Sequence, residues 1–178
     1  MTRVPMGSTY KLFSDAGMGN NKSPGLEDKY PGIQFSQFTG AEMIARKYGF
    51  TREDTDAYSL GSHRKAVAAA ESGRFDDEIV PVTIETPEGS AEHQADEGIR
   101  RDASAESMAG VKLLSEQGVL TAASASQICD GASAVLIASG EAVEKYGLTP
   151  LARIVNLTVT AGDPVVMLEE PLFATDKA

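Results

Sequence analysis

The chain has 178 residues, and its 26 Asp and Glu against 16 Lys and Arg leave a net charge of −10. That length suits one domain, or one domain with a partial second, and buries roughly 70% of the surface exposed by the unfolded chain. The acidic balance offers no basic stripe for nucleic acid; a single cysteine rules out an internal disulfide, and with two histidines it is too few ligands for a structural zinc site. No signal peptide and no bilayer-length apolar run is legible, so the expectation is a soluble protein of a reducing, cytoplasmic compartment, with no membrane partner and no metal.

Residues 1–35, rich in Gly, Pro, Ser and Asn, show neither helical nor strand periodicity and are expected to be open chain. "TGAEMIARKYG" predicts a helix starting at Thr39, which stands at capping-box spacing from Glu42, and stopping at Gly49. "TREDTDAYSLGSHRKAVAAAESG" predicts a second helix, capped by Thr51 with Glu53 and Asp54 in its first turn and closed by Gly73. Its buried face is expected at Ala57, Leu60, Val67 and Ala68, with His63 outward. "EIVPVTIE" (78–85) predicts a strand, at an edge because of Pro81, and 86–103 a loop. Ser104 is placed to cap a short helix through Met108 and Ala109.

"TAASASQICDGASAVLIAS" (121–139) is small and polar in its first half and apolar from Ala132 to Ala138, as in a strand covered on both faces. Ser139 then caps a helix, "GEAVEKYG", and "LARIVNLTV" (151–159) predicts a further strand. Strand, helix, strand in that order points to an α/β sheet. These two strands have no sequence neighbours long enough to complete a sheet, and "EEPLFATDKA" starts one more helix, so the chain reads as a piece of a larger protein. Within the 121–139 stretch, Cys129 has no Lys or Arg beside it and is followed by Asp130, which disfavours a thiolate; a buried structural cysteine is expected. Small residues let backbone approach a ligand, and hydroxyls bond an amide without burying a charge. Ser124 and Ser126 suit that role, or they only satisfy a tight strand-to-helix turn.

At "TREDTDAYSLGSHRKAVAAAESGRFDDEIVPV" the chain resembles the thiolase family. "DEGIRRDASAESMAGVK", "LTAASASQICDGASAVLIAS", "PLARIVN" and "DPVVMLEEP" match in family order, and "MTRVPMG" resembles the segment that follows the first core strands. The resemblance covers essentially the whole chain. It implies an α/β thiolase fold, with residues 1–121 mostly loop domain, 122–148 the end of the N-terminal α/β half and 149–178 the start of the C-terminal half. It also implies acyl transfer between coenzyme A thioesters through a cysteine thiolate, with a second cysteine and a histidine moving protons and hydrogen-bond donors holding the thioester oxygen. Coenzyme A and acyl-CoA are then substrates, no cofactor is bound permanently, and the full-length parent is a homodimer or homotetramer. The family's nucleophile falls upstream of Met1, and its Asn-Glu-Ala-Phe, Gly-His-Pro and Cys-Gly-Gly motifs fall downstream of Ala178. No catalytic residue is therefore expected in this chain, and Cys129 stands where the family usually has asparagine.

The resemblance implies that Ser126 contacts the pantetheine arm of coenzyme A, that Arg100 lies near its nucleotide end, and that Ser107 and Val111 belong to the adenine pocket. From the residues alone, Arg100 reads as a solvated loop arginine or one in a weak surface pair; only with the resemblance is it equally a phosphate partner. His63 matches a cofactor-edge position in some members, beside the plainer reading of a solvated helix histidine. Gln127 replaces a common glycine. Ser36 and Gln37 stand where short-chain biosynthetic members carry His-Met, which points to a larger 3-ketoacyl group and a degradative enzyme. Met167 matches a methionine lining that acyl pocket, and is otherwise a core methionine. The expected function is thus part of a degradative 3-ketoacyl-CoA thiolase, inactive and marginally stable by itself. The alternative is a non-catalytic thiolase-like protein that binds acyl-CoA or lipid, or a truncated gene product.

Overall fold

The computed structural model describes residues 5, 7–19 and 22–178, so the opening "MTRVPMG" match, Pro5 and Gly7 apart, lies outside the described residues. The elements in chain order are α1 (Ser8–Asp15), α2 (Pro24–Lys29), α3 (Gln37–Tyr48), α4 (Arg52–Glu71), β1 (Val82–Thr86), β2 (Gly89–His93), α5 (Ala105–Ala109), α6 (Gly140–Tyr146) and α7 (Glu170–Lys177). They fall into two compact units: Ala41–Gln127, and the segments ending at Gly40 and beginning at Ile128.

The Ala41–Gln127 unit is built around α4, whose start is the one expected. The Thr51 hydroxyl accepts from the Asp54 N–H at 3.2 Å while Asp54 accepts from the Thr51 N–H at 2.9 Å, so two orphan donors of the first turn are satisfied reciprocally. The helix ends at Ser72, and Gly73 follows at φ 71°. Its inner face differs from the expected one. Leu60 is buried and Val67 half-buried, but Ala57 and Ala68 are exposed, and His63 is half-buried rather than outward. Thr55 and Ser59 take the inner positions instead, because their hydroxyls bond carbonyls of their own helix (Arg52 and Thr55) and cost little to bury. α5 packs on α4 and is closed at its start by reciprocal bonds between Ser104 and Ser107.

α3 begins at Gln37, two residues before Thr39, so the expected Thr39–Glu42 capping box does not form. The Glu42 carboxylate is buried and accepts from the Val119 and Leu120 N–H groups instead; a long-range backbone partner has displaced the local one. The expected 78–85 strand starts later, at Val82, and pairs with β2 inside the stretch expected to be loop, in antiparallel register from Val82↔His93 to Thr86↔Gly89. Gly89, at φ 124°, closes the turn, while the exposed "GSAEH" of β2 carries no apolar alternation to betray it.

The other unit overturns the open-chain expectation for residues 1–35, since α1 and α2 lie there. Neither helix buries a residue. Ser23 caps α2 by accepting from the Leu26 N–H at 3.2 Å. Glu27 accepts from the Gly32 N–H at 2.9 Å, which with nearby Lys22 holds its carboxyl below the usual range. Farther along, Ser139 caps α6 as expected, accepting from the Ala142 N–H at 3.2 Å. The two expected strands do not form: neither Ala132–Ala138 nor Leu151–Val159 has a ladder partner among the described residues, and their apolar side chains are exposed. Cys129 is exposed as well, against the expectation of a buried cysteine, because the run it introduces lacks cover. Gly40 passes so close to the Val166 carbonyl that no side chain would fit there.

Candidate functional site

Within the Ala41–Gln127 unit, a cleft of about 720 Å³ is walled by α4, the 98–103 loop, α5 with its following turn, and residues 122–127. Five residues singled out in the sequence, His63, Arg100, Ser107, Val111 and Ser126, all line it. Ser36, Gln37 and Met167 do not; they belong to the other unit, Ser36 half-buried, Gln37 exposed, and Met167 half-buried at a left-handed φ of 47°.

The chemistry of the cleft is uneven around its rim. Among the described lining residues Arg100 is the one permanent cation and Asp102 the one carboxylate. The Arg100 N–H donates to His63 Nδ1 at 3.2 Å, which leaves Nε2 to carry the proton of the neutral imidazole. Met108 and Val111 give one wall an apolar surface, whereas Ala122 to Ser126 form a wall of small side chains. Ser124 there serves the turn: its hydroxyl accepts from the Thr121 N–H at 2.9 Å and donates to the Thr121 carbonyl at 3.2 Å. Ser126 is exposed and takes no part in that turn, so its hydroxyl faces no competing protein bond among the described residues. Gln127 fills the space over Gly98, where any side chain would collide with its amide.

Two charged residues outside the expected set bond backbone at or near these walls. Arg52 Nη2 donates to three carbonyls, Met108 at 3.2 Å, Ala109 at 2.9 Å and Val111 at 2.6 Å, while its Nε donates to Asp56 at 3.3 Å. The second oxygen of Asp56 is buried without a partner. Glu42 accepts from Val119 at 3.1 and 3.0 Å and from Leu120 at 3.0 Å. Sequence reasoning passed over Arg52, yet one sign was legible: it opens α4, where a cation opposes the helix dipole, and a local misfit of that kind signals a distant partner. Glu42 drew notice only as a cap.

The described residues contain no cluster of three His, Cys, Asp or Glu that could hold a metal ion, and no helix long and apolar enough to cross a membrane. The family model for the N-terminal domain of thiolase matches residues 1–141. The chain belongs to the thiolase family. It is 45% identical over 177 residues to the steroid 3-ketoacyl-CoA thiolase FadA6 of Mycobacterium tuberculosis, a match covering 98% of this chain and 42% of that protein. To the mitochondrial 3-ketoacyl-CoA thiolase of Mus musculus it is 37% identical over 155 residues, covering 86% of this chain and 38% of the relative. Among solved structures, the Bacillus anthracis acetyl-CoA acetyltransferase superposes with a TM-score of 0.75 at 38% identity, over 83% of this chain and 38% of that one. Human mitochondrial 3-ketoacyl-CoA thiolase gives 0.74 at 38% identity, over 79% and 36%. The α/β thiolase fold expected from the sequence is therefore borne out, and the chain spans about two fifths of the length of these relatives.

Proposed function

We propose that this chain supplies the coenzyme A-binding cleft of a degradative 3-ketoacyl-CoA thiolase, which transfers an acyl group to coenzyme A. The observation that carries the reading is the convergence of His63, Arg100, Ser107, Val111 and Ser126, distant in sequence, on one cleft. Coenzyme A has an anionic nucleotide end, a flat base and an amide-rich arm. Arg100 offers a charge-assisted partner for phosphate, the Met108 and Val111 wall an apolar surface for the base, and the small wall with Ser126 a close approach and a hydroxyl for the arm. The degradative direction rests on Ser36 and Gln37, which place no imidazole where short-chain biosynthetic members have one, and agrees with the names of two of the relatives above. On the same reading residues 1–121 are mostly loop domain, 122–148 complete the N-terminal half and 149–178 open the C-terminal half. Acyl transfer needs an activated thiolate. Cys129, which does not line the cleft and is followed by Asp130, is not assigned that role, so on this reading the nucleophile is none of these 178 residues.

Calorimetric titration of the chain with coenzyme A tests the site. Arg100→Ala is expected to weaken binding about tenfold and Ser126→Ala about fivefold, the ordinary worth of a charge-assisted and a neutral hydrogen bond. Undiminished affinity in both variants would sink the assignment. The chain alone is expected to show no thiolysis of a 3-ketoacyl-CoA, followed as loss of enolate absorbance; turnover above background would overturn the placement of the nucleophile.

A further inference from the structure

We propose that Arg52 and Glu42 are positioning residues for the cleft, each fixing one of its walls. Arg52 holds the wall that meets the nucleotide half of coenzyme A, and Glu42 the wall that meets the pantetheine arm. The inference rests on the coenzyme A reading of that cleft. α5 is only five residues long, too short to be stable as an isolated helix, and its last carbonyls have no partners within it. Arg52 supplies one nitrogen to the carbonyls of Met108, Ala109 and Val111, and so closes the turn from which Ser107, Met108 and Val111 line the cleft. At the start of α4 this cation works against its own helix, but at the end of α5 it sits where a cation is favoured. The Nε bond to Asp56 fixes the guanidinium plane while Nη2 meets the three carbonyls; an ammonium on a flexible stem has one nitrogen and cannot make both contacts at once.

Glu42 does the converse for the facing wall. A carboxylate only 7% exposed is costly unless its oxygens are bonded, and here they are met by the Val119 and Leu120 N–H groups. The backbone comes close enough that a side chain at Gly118 would strike both Glu42 and Ser115, and Thr55 adds a bond to the Val119 carbonyl at 3.3 Å. Thr121, fully buried, then begins the turn pinned by Ser124, so the wall from Ala122 to Gln127 leaves from a fixed point. Neither Arg52 nor Glu42 lines the cleft itself. Both act through the backbone they hold.

The test compares the unsubstituted chain with Arg52→Ala and Glu42→Gln in two measurements. The first is amide hydrogen exchange without ligand; the second is calorimetric titration with coenzyme A and with 4′-phosphopantetheine, which lacks the nucleotide. Arg52→Ala is expected to speed exchange over residues 105–112 and leave 118–124 unchanged. It should weaken coenzyme A about tenfold and phosphopantetheine less than about twofold. Glu42→Gln is expected to speed exchange over 118–124 alone and to weaken both ligands by a similar factor, since both contain the arm. A merely structural role would loosen both segments in both variants and weaken both ligands alike, which would overturn the proposal. So would unchanged exchange over 105–112 in Arg52→Ala. If that variant is unfolded by circular dichroism, Arg52→Lys is read in the same way. Failure of the unsubstituted chain to bind coenzyme A would overturn the ligand reading and with it the division between nucleotide and arm, while the exchange patterns would still decide whether each side chain holds its wall.

Discussion

Leu60, in a helix whose sequence is mixed and only modestly apolar, is 6% exposed, whereas Val135, in the most apolar run of the chain, is 86% exposed. The contrast extends to the regions around them. Ala45, Leu60 and Met108, the buried apolar side chains among the described residues, all lie in Ala41–Gln127, and long-range bonds from Arg52, Thr55 and Glu42 tie that unit together. From 128 to 138 and from 151 to 159 the chain is richer in Val, Leu and Ile but has no ladder and no cover among the described residues. A helix satisfies its own backbone and needs only one face covered, so α4 and α5 can pack on one another. A strand needs a neighbour for its N–H and C=O groups before its side chains are of any use. Hydrophobicity states what must be covered and is silent on what covers it.

The largest expected effect makes that comparison quantitative. Leu60→Ala removes a buried side chain at the α4 face and is expected to cost about 3 kcal/mol, within the range for core truncations. Val135→Ala and Leu157→Ala, both at exposed positions, are expected to stay within about 0.5 kcal/mol of the unsubstituted chain. Urea unfolding followed by circular dichroism reads both as shifts in midpoint at constant slope. A loss in Val135→Ala as large as that in Leu60→Ala would break the comparison, because it would show the 132–138 run to be covered in solution, for example by a second copy of the chain.

The same contrast marks what the sequence could disclose. Signals that act within one turn were legible: the Thr51–Asp54 box, the Ser104 and Ser139 caps, and the glycines after α3 and α4 all stand where residue chemistry places them. Thr39 and Glu42 had the right spacing for a cap and failed, because the Val119 and Leu120 N–H groups, 77 and 78 positions away, bind that carboxylate. β2 was illegible because an exposed hairpin strand has no apolar face. The site residues were reached through motif resemblance, not periodicity; periodicity had even turned His63 outward, since it counts alanines as buried and cannot see that the 98–103 loop lies over that face. Arg52 escaped both routes, being neither apolar nor part of a recognised ligand set.

An intermediate effect isolates one of those local signals. Thr51→Ala removes the hydroxyl acceptor at the start of α4 and is expected to cost about 1 kcal/mol. Its partner Asp54 adds a pH dependence. The Thr51 N–H, and after it the Thr51 hydroxyl, hold the Asp54 carboxyl below its usual value. A folded value below the unfolded one means that the ionised form favours the helix: the contribution is complete above the ordinary aspartate range, about pH 4, and is lost as pH falls through the folded value. Glu27 and Glu106, also held low by hydrogen bonds to backbone N–H groups, act in the same direction, so the whole-chain curve alone does not assign the effect. The difference between unsubstituted chain and Asp54→Asn, read as helicity between neutral pH and acid, does. The variant is expected to start lower and to lose less on acidification; parallel curves would show that the box contributes nothing to α4.

The smallest expected effect bears on the exposed side of the comparison. Cys129 is the chain's only cysteine and is exposed at the head of the uncovered 128–138 segment, so its thiol reports on that segment without a label of any other kind. Reaction with a chromogenic disulfide depends on access and on the fraction of thiolate. With the thiol already exposed, the folded chain is expected to react within about twofold of the urea-unfolded chain at the same pH. Cys129→Asn, which restores the residue usual in the family, is expected to leave the unfolding midpoint within about 0.5 kcal/mol and the coenzyme A affinity unchanged, because the cysteine does not line the cleft. Two departures are informative in different ways. Strong protection of the thiol, relieved by urea, would place cover over the segment and contradict its exposure. A normal reaction rate combined with a large loss of coenzyme A affinity in Cys129→Asn would leave the exposure intact and show that the wall at Ser126 and Gln127 depends on the residues that follow it.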